Sequence, residues 1–328
     1  MPKTSVFLTR KIPQKAIDYI LSHDIDLEMN QEDRVLTKEE IMEGVKGKEV
    51  LICLLTDTID TEIMDYAGKQ LKLIANYAVG YNNIDVKSAT ERKIPVTNTP
   101  GVLTETTADL TMALLLSIAR RIVESDKFTR ENKFKGWGPL LHLGGDIYEK
   151  TLGIIGAGRI GSAVAQRAAK GFNMKILYTN RNRNVDLEEN YQAKFVSLEE
   201  LLKNSDFVTL HVPLTDETRY LIGEKEIDLM KDTAYLINTS RGLVIDEKAL
   251  VKCMKEEKIA GAALDVYEHE PELTAGLIDL DNVIVTAHIG TATIDTRTKM
   301  GMIVAENLLA VLAGKIPPNC INPEIFNP

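Results

Sequence analysis

The stretch Thr151-Leu-Gly-Ile-Ile-Gly-Ala-Gly-Arg-Ile-Gly161 joins a short apolar run to an amphipathic segment through a turn built on glycine. Residues 152–155 form the kind of run that a parallel sheet buries on both faces. Gly156 permits a tight turn, Gly158 lets the backbone approach a ligand, and Gly161 lets the following helix pack near the strand. The N–H groups and the positive dipole end of that helix would face an anion.

A second apolar run, residues 175–178, follows at the distance that a βαβ unit requires. One GxGxxG turn is weak evidence by itself, because glycine turns occur in many α/β proteins. Here strand, turn, helix and next strand occur in order. The pattern therefore predicts dinucleotide binding in preference to a purely structural turn.

Composition limits the other classes of protein. The 328 residues are enough for two domains, and 44% hydrophobic with 27% charged residues is typical of a globular protein. A net charge of −9 argues against nucleic acid as a partner. The three cysteines have no metal-ligand spacing, so no metal site is predicted. No apolar run suits a signal peptide or a membrane helix, so we expect no membrane partner and a cytoplasmic location.

Residues 1–98 alternate short apolar runs with amphipathic ones, which predicts βαβ units and a parallel sheet. This part has no phosphate-binding turn, so we interpret it as the substrate side of a two-domain enzyme. Within it, the run from Asn76 to Asn83 exposes backbone N–H groups at a strand end, where ligands of α/β sheets bind. On these residues alone, a βα turn without a ligand is the preferred interpretation. One long helix is predicted from an N-cap at Thr104 to about Glu131.

The choice of coenzyme is predicted from Tyr178-Thr-Asn-Arg-Asn-Arg183. After the second strand of a Rossmann unit an acidic residue normally binds the ribose 2′-hydroxyl of NAD, but this chain has Asn180 there. A carboxylate would repel a 2′-phosphate, whereas Asn180 and Arg181 can bind one. We therefore predict NADPH, with NADH as the weaker alternative; the segment could also be a solvated polar turn.

Three residues near predicted strand ends could carry chemistry. Arg241 has the planar group that binds a carboxylate bidentately, although an arginine taken alone is more often a surface ion-pair residue than a ligand. His288 is the only one of five histidines at a strand-to-helix junction beside glycine and threonine. A histidine that donates a proton usually needs a carboxylate to orient its ring, and both Glu270 and Asp265 are candidates.

Apolar side chains could line a small substrate pocket. Leu54, Leu55, Leu103 and Trp137 are the candidates, and they would suit a substrate as small as glyoxylate or hydroxypyruvate. Trp137 lies on a glycine-flanked loop and is costly to leave in water. We expect either its own domain or a partner subunit to cover it.

Several motifs together resemble the D-2-hydroxyacid dehydrogenases, most closely the glyoxylate/hydroxypyruvate reductase branch. The resemblance covers nearly the whole chain. It rests on 76–83, Thr99-Pro-Gly-Val-Leu-Thr104, Thr107-Ala-Asp109, the glycine turn, His211-Val-Pro-Leu-Thr215, 238–242, 264–271 and 288–293. One departure is Ala287, where the family commonly has a proline.

The resemblance implies two doubly wound parallel-sheet α/β domains. Residues 1–98 and 290–328 would form a flavodoxin-like substrate domain, and 99–289 a Rossmann dinucleotide-binding domain. It also implies that His288 donates the proton with support from Glu270. Arg241 and the N–H groups of Val79 and Gly80 would bind the substrate's carboxylate. Leu55 and Trp137 complete the predicted substrate-binding set.

The coenzyme-binding residues implied by the same motifs are numerous. They are Thr107, Gly156, Gly158, Arg159, Ile160, Gly161, Asn180, Arg181, Asn182, Pro213, Thr239, Ser240, Arg241, Asp265, His288 and Gly290. Asp265 matches a residue that contacts the nicotinamide amide. Trp137 matches a residue that reaches a neighbouring subunit's active site, so a homodimer is expected.

The expected reaction is NADPH-dependent reduction of a small 2-oxo acid to the 2-hydroxy acid. Two alternatives stay open. One is an NADH-linked relative such as phosphoglycerate dehydrogenase, which the end of the chain at Pro328, without an additional regulatory domain, argues against. The other is a nucleotide-sensing, protein-binding module of the same fold, which the complete Arg–Glu–His set argues against.

Overall fold

The computed structural model describes residues 3–326, so the first two and last two residues of the predicted substrate domain lie outside it. The chain divides into two units: Met1–Leu103 with Ala292–Pro328, and Thr104–Thr291. Both units alternate strands with helices. Within residues 3–326, no helix has the length and apolar composition needed to span a membrane.

The elements follow in chain order. The first unit contains β1 Thr4–Leu8, α1 Gln14–Leu21, β2 Ile25–Met29, α2 Lys38–Val45, β3 Val50–Cys53, α3 Thr61–Ala67, β4 Leu73–Asn76, α4 Val86–Glu91 and β5 Val96–Thr97. The second contains α5 Thr104–Ala119, α6 Ile122–Arg130, β6 Thr151–Ile155, α7 Arg159–Phe172, β7 Lys175–Thr179, α8 Val185–Tyr191, β8 Lys194–Phe195, α9 Leu198–Asn204, β9 Phe207–Leu210, α10 Glu224–Asp228, β10 Tyr235–Asn238, α11 Glu247–Lys255, β11 Gly261–Leu264 and β12 Val283–Val285. Helix α12, Ile294–Leu312, returns to the first unit.

The first unit is a parallel sheet in the order β2-β1-β3-β4-β5, which is the flavodoxin-like order. Strands β3 and β4 are buried along their whole length, as apolar runs in parallel sheets are. Helix α12 packs on this unit: a Cβ at Gly301 would lie 2.5 Å from that of Ala16, and the Tyr77 hydroxyl donates to the Arg297 carbonyl at 2.5 Å. The chain's last helix thus completes the fold of its first part.

The second unit is a parallel sheet in the order β12-β11-β10-β9-β6-β7-β8. Strand β6 pairs with β7 on one side and with β9 on the other, so the strand order reverses between β6 and β9. In doubly wound sheets, ligands bind beyond the carboxyl ends of the strands at this reversal. The glycine turn follows β6 there. The predicted fold class, two parallel-sheet α/β domains, is confirmed.

Three expectations about the elements need correction. The predicted long helix is two helices, α5 and α6, because Arg121 has a left-handed backbone with φ 51°. Thr104 is the first helical residue rather than a cap. The edge strands β2 and β8 were not predicted, since β2 alternates charged with apolar residues and β8 has two exposed ones.

The unit boundaries lie slightly later in the chain than the predicted 98/99 and 289/290. Residues 99–103 stay with the first unit, where the Thr99 N–H donates to the Ala78 carbonyl at 2.9 Å. Gly290 stays with the second unit, because its N–H donates to Asp265 at 2.8 Å. Both hydrogen bonds lie within one unit and agree with this division.

Candidate active site

The glycine turn after β6 has a shape that only glycine permits. Gly156 has φ +97°, and a Cβ there would lie 2.7 Å from the carbonyl of His211. A Cβ at Gly161 would lie 2.2 Å from the Gly156 carbonyl oxygen, so the helix packs directly on the turn. At Gly158, which caps α7, a Cβ would enter open space. That space, beside the N–H groups of Arg159 and Ile160, fits a pyrophosphate.

The polar segment after β7 is exposed and has no carboxylate at its first positions. The Asn180 side-chain amide donates to the Asn182 carbonyl at 3.1 Å, while Arg181 and Asn182 are exposed. Arg183 is paired with Glu188 at 2.5 Å, whereas Arg181 forms no salt bridge within residues 3–326. Arg181 is thus the guanidinium of this segment that could bind a phosphate.

His211 lacks the strand-to-helix context of His288, so its sequence predicts only a surface or core residue. It directly follows β9, and part of the residue is accessible although its Nε2 is buried. Among the described residues this nitrogen has no hydrogen-bond partner, and burial lowers the pKa of His211 to about 3, so the ring is neutral. A buried, unpartnered nitrogen beside the glycine turn fits a site that a polar ligand completes. No sequence pattern around His211 indicates that its Nε2 is buried and without a partner among residues 3–326.

The Asn238–Gly242 loop, which follows β10, is organised by Asn238. The Asn238 Oδ1 accepts from the Ser240 N–H at 2.9 Å and from its hydroxyl at 2.8 Å, and Nδ2 donates to the Arg241 carbonyl at 2.9 Å. Thr239 is buried, with its hydroxyl 2.9 Å from that of Thr111. The Arg241 guanidinium donates to the Ser240 carbonyl at 2.6 Å. The loop therefore presents Arg241 from a fixed backbone.

His288 and Glu270 are in contact. The imidazole Nδ1 lies 2.9 Å from Glu270 Oε2, and the side chains are 26% and 30% exposed, so a small ligand can reach them. Glu270 Oε1 also accepts the Tyr267 N–H at 3.2 Å. Of the two carboxylates left open by the sequence, Glu270 is the one beside the ring. The carboxylate orients the ring so that its Nε2 is the nitrogen left for a substrate.

The charges of this site influence one another. Burial would raise the pKa of Glu270, but the hydrogen bond from His288, its charge, the Tyr267 N–H and Arg241 together hold that pKa below its usual value. Burial lowers the pKa of Arg241, and the charge of Glu270 opposes that shift. Arg241, Glu270 and His288 are therefore brought together around one ionised carboxylate.

Asp265 holds the backbone around His288 instead. It is 1% exposed, its Oδ1 accepts from the Thr286 hydroxyl at 2.6 Å and the Ile289 N–H at 2.8 Å, and its Oδ2 accepts from the Gly290 N–H at 2.8 Å. His288 itself has a left-handed backbone with φ 51°. This conformation is costly for a side chain with a Cβ and needs such support.

The remaining predicted residues of the second unit lie in several places. The Thr107 hydroxyl donates to the Gly290 carbonyl at 3.3 Å. Pro213 is exposed after β9, and its carbonyl accepts the Thr218 hydroxyl at 2.6 Å. Trp137 is 86% exposed, so its own unit does not cover it. This excludes the first of the two coverings expected for that side chain.

Val79, Gly80 and Leu55 lie at strand ends of the first unit. Asn98 donates to the Val79 carbonyl and Asn76 to the Gly80 carbonyl, both at 2.8 Å. Within residues 3–326, the N–H groups of Val79 and Gly80 have no hydrogen-bond partner. The loop thus offers two donors with a fixed backbone, which suits an anion. Leu55 follows β3 and is 37% exposed.

Comparison with known proteins agrees with this geometry. Residues 112–290 match the family described as "D-isomer specific 2-hydroxyacid dehydrogenase, NAD binding domain". A glyoxylate reductase from Korarchaeum cryptofilum (strain OPF8) is 52% identical over 98% of this chain and 97% of its own length. One from Thermococcus gammatolerans is 50% identical, with the same coverages.

A solved structure is similar throughout. The NADPH-dependent glyoxylate/hydroxypyruvate reductase of Sinorhizobium meliloti, in complex with NADP and malonate, superposes with a TM-score of 0.84 at 28% identity, over 97% of each chain. The sequence identity over nearly the whole length and the glycine turn at the sheet reversal both indicate the same family. The chain therefore belongs to the D-isomer specific 2-hydroxyacid dehydrogenases and is an NAD(P)-dependent oxidoreductase.

Proposed function

We propose that this enzyme reduces a small 2-oxo acid, glyoxylate and secondarily hydroxypyruvate, to the 2-hydroxy acid, with NADPH as its coenzyme. The observation that carries the proposal is the contact of His288 with Glu270 beside the charge of Arg241. This set has one group for each need of the reaction: a proton donor, its supporting carboxylate and a cation for a carboxylate. The names of the relatives support glyoxylate as the substrate.

The residues act on the substrate in defined ways. The bound nicotinamide coenzyme supplies the hydride. Arg241 binds the substrate's carboxylate and stabilises negative charge on its carbonyl oxygen. His288 gives its proton to that oxygen, and Glu270 stabilises the imidazolium beforehand. The N–H groups of Val79 and Gly80 are proposed as further donors to the carboxylate.

The preference for NADPH rests on the segment after β7. An acidic residue there would repel a 2′-phosphate, and Asn180 takes its place while Arg181 has no salt bridge within the described part of the chain. The S. meliloti relative is NADPH-dependent. The alternative is NADH, so the two coenzymes must be compared directly.

Steady-state rates on glyoxylate, hydroxypyruvate and pyruvate, each with NADPH and NADH, test the proposal. We expect the highest kcat/KM with glyoxylate and NADPH. Equal use of both coenzymes would contradict the coenzyme assignment. Lack of NADPH and NADH oxidation with every 2-oxo acid would contradict the reaction and favour a nucleotide-sensing module.

We further propose a homodimer in which a second copy covers the loop around Trp137. Four large apolar side chains of this loop are more than half exposed: Phe134 at 51%, Trp137 at 86%, Leu140 at 80% and Leu143 at 60%. Apolar groups clustered in this way usually lie in an interface. Sedimentation of the wild type and of Trp137→Ser decides the matter, since a monomeric wild type would contradict the proposal.

A further inference from the structure

A buried carboxylate lies next to the candidate active site without belonging to it. Glu247, the first residue of α11, is 1% exposed. Its Oε1 accepts the Glu268 N–H at 2.8 Å and its Oε2 accepts the Thr274 hydroxyl at 2.5 Å. Glutamates are rarely buried unless their oxygens are satisfied in this way. Glu247 therefore has a structural task at this position.

Glu268 returns the contact. Its Oε1 accepts the Glu247 N–H at 2.9 Å, and its side chain is only 6% exposed. We call these two reciprocal hydrogen bonds the Glu247–Glu268 clamp. The backbones meet closely at the same place, because a Cβ at Gly242 would lie 1.8 Å from the carbonyl carbon of Tyr267. The clamp thus joins the segment 267–268 to the start of α11.

The segment held by the clamp is the one that carries Glu270. The Tyr267 N–H donates to Glu270 Oε1 at 3.2 Å, and Glu270 Oε2 faces His288 Nδ1 at 2.9 Å. Gly242, on the other side of the close approach, directly follows Arg241. A shift at residue 268 would therefore move the carboxylate away from the ring and from the guanidinium together.

We propose that Glu247 is a positioning residue that, through the N–H of Glu268, holds Glu270 against His288. This inference rests on the proposed function, in which that pair delivers the proton. A misplacement of about 1 Å at a reacting group can cost ~10²-fold in rate. The clamp therefore acts on turnover without touching substrate or coenzyme.

A glutamine at position 247 should preserve the clamp. Its carbonyl oxygen can accept the Glu268 N–H, and its amide can donate to the Thr274 oxygen. An alanine leaves the partly buried Glu268 N–H without this acceptor. Burial raises the pKa of Glu247, and Glu268, His269 and Tyr267 are the titratable groups beside it. Because glutamine does not ionise, Glu247→Gln also removes the buried ionisable group.

Kinetics of Glu247→Ala and Glu247→Gln test the proposal. We expect Glu247→Ala to lower kcat for the 2-oxo acid about 10- to 100-fold with little change in KM. The pH optimum of Glu247→Ala should move downward, because the carboxylate of Glu270 no longer lies beside His288. Arg241 and Tyr267 are the other charged or titratable groups that face Glu270. Glu247→Gln should restore both. Leu250→Ala, a buried site on the same helix, controls for lost stability and should keep the wild-type pH optimum.

Crystal structures of the unliganded variants separate this inference from the proposed function. Displacement of Glu270 from His288 in Glu247→Ala but not in Glu247→Gln would support positioning even if the wild type reduced no 2-oxo acid. A folded Glu247→Ala with wild-type kcat and pH optimum would overturn the inference. So would a loss of activity in Glu247→Gln equal to that in Glu247→Ala, or an unmoved Glu270.

Discussion

The carboxylate of Asp265 accepts the backbone N–H of Gly290 at 2.8 Å, two residues beyond the proposed proton donor. The Thr286 hydroxyl and the Ile289 N–H also donate to this carboxylate, and these bonds hold the loop that places His288 in a left-handed conformation. Asn at position 265 would turn an amide toward one of these donors. We expect Asp265→Asn to lower kcat about 10- to 100-fold through misplacement of the ring. Exposed Asp279→Asn is the matched control, and equal kcat in both variants would contradict this role.

His288→Ala removes the proposed proton donor. Loss of a general acid typically costs ~10²–10⁴-fold in rate, and we expect kcat for the 2-oxo acid to fall in that range. Coenzyme affinity, measured by fluorescence titration, should change far less. His23→Ala, at an exposed position two residues beyond the end of α1, should leave kcat unchanged. Near-full turnover of His288→Ala would remove the histidine from the mechanism.

Glu270→Gln should move the pH optimum of the reduction downward. The pKa of Glu270 is held below its usual value, so the carboxylate stays ionised well into the acidic range and stabilises the imidazolium of His288. A neutral amide cannot supply that charge, so we expect the reduction rate of the variant to begin falling at a lower pH than that of the wild type. Rate profiles across pH for wild type and variant measure the shift. An unchanged profile would show that Glu270 has no such role.

Arg241→Lys keeps the charge but loses the planar pair of donors. Hydrogen bonds to charged groups contribute about 1.5–3 kcal/mol, so kcat/KM for the 2-oxo acid should fall about 10- to 100-fold. The control is Arg130→Lys, an arginine whose side chain is 78% exposed, which should have the wild-type kcat/KM. If Arg241→Lys also had the wild-type kcat/KM, a point charge at position 241 would suffice and bidentate binding of the carboxylate would be excluded.

Asn180→Asp tests the coenzyme. A carboxylate after β7 would repel a 2′-phosphate and accept the 2′-hydroxyl of NADH. We therefore expect the preference for NADPH, measured as kcat/KM with NADPH divided by kcat/KM with NADH, to fall at least tenfold. A tenfold change corresponds to about 1.4 kcal/mol, the free energy of one modest charge contact. Asn190→Asp, at an exposed position of α8, adds the same charge elsewhere and should leave the ratio unchanged. A ratio unaffected by Asn180→Asp would show that residue 180 does not lie beside the ribose 2′-position of the coenzyme.

Local patterns made most of the fold predictable. The glycine turn and the buried runs of β3 and β4 each depend on residues near one another in the chain, so their patterns could be read directly. The break at Arg121 could not, because an arginine gives no sign that its backbone is left-handed. Edge strands such as β2 carry too few buried residues to stand out.

Contacts between distant residues account for what the sequence left open in the site. Glu270 and Asp265 both precede His288 in the chain, with strand β12 between them and the histidine. Only the three-dimensional path of residues 264–270 places Glu270 at the ring and Asp265 under the loop. The buried nitrogen of His211 and the clamp of Glu247 depend on packing across strands and helices. No periodicity or motif spacing reports such contacts.

The exposed loop around Trp137 gives this enzyme a built-in optical probe. The chain has one tryptophan, and its indole is 86% exposed in the isolated subunit. Its emission in water should be red-shifted, and any molecule that covers the ring should move the maximum toward blue. In the homodimer proposed above, dilution would therefore shift this emission toward red as the subunits separate, without any added label.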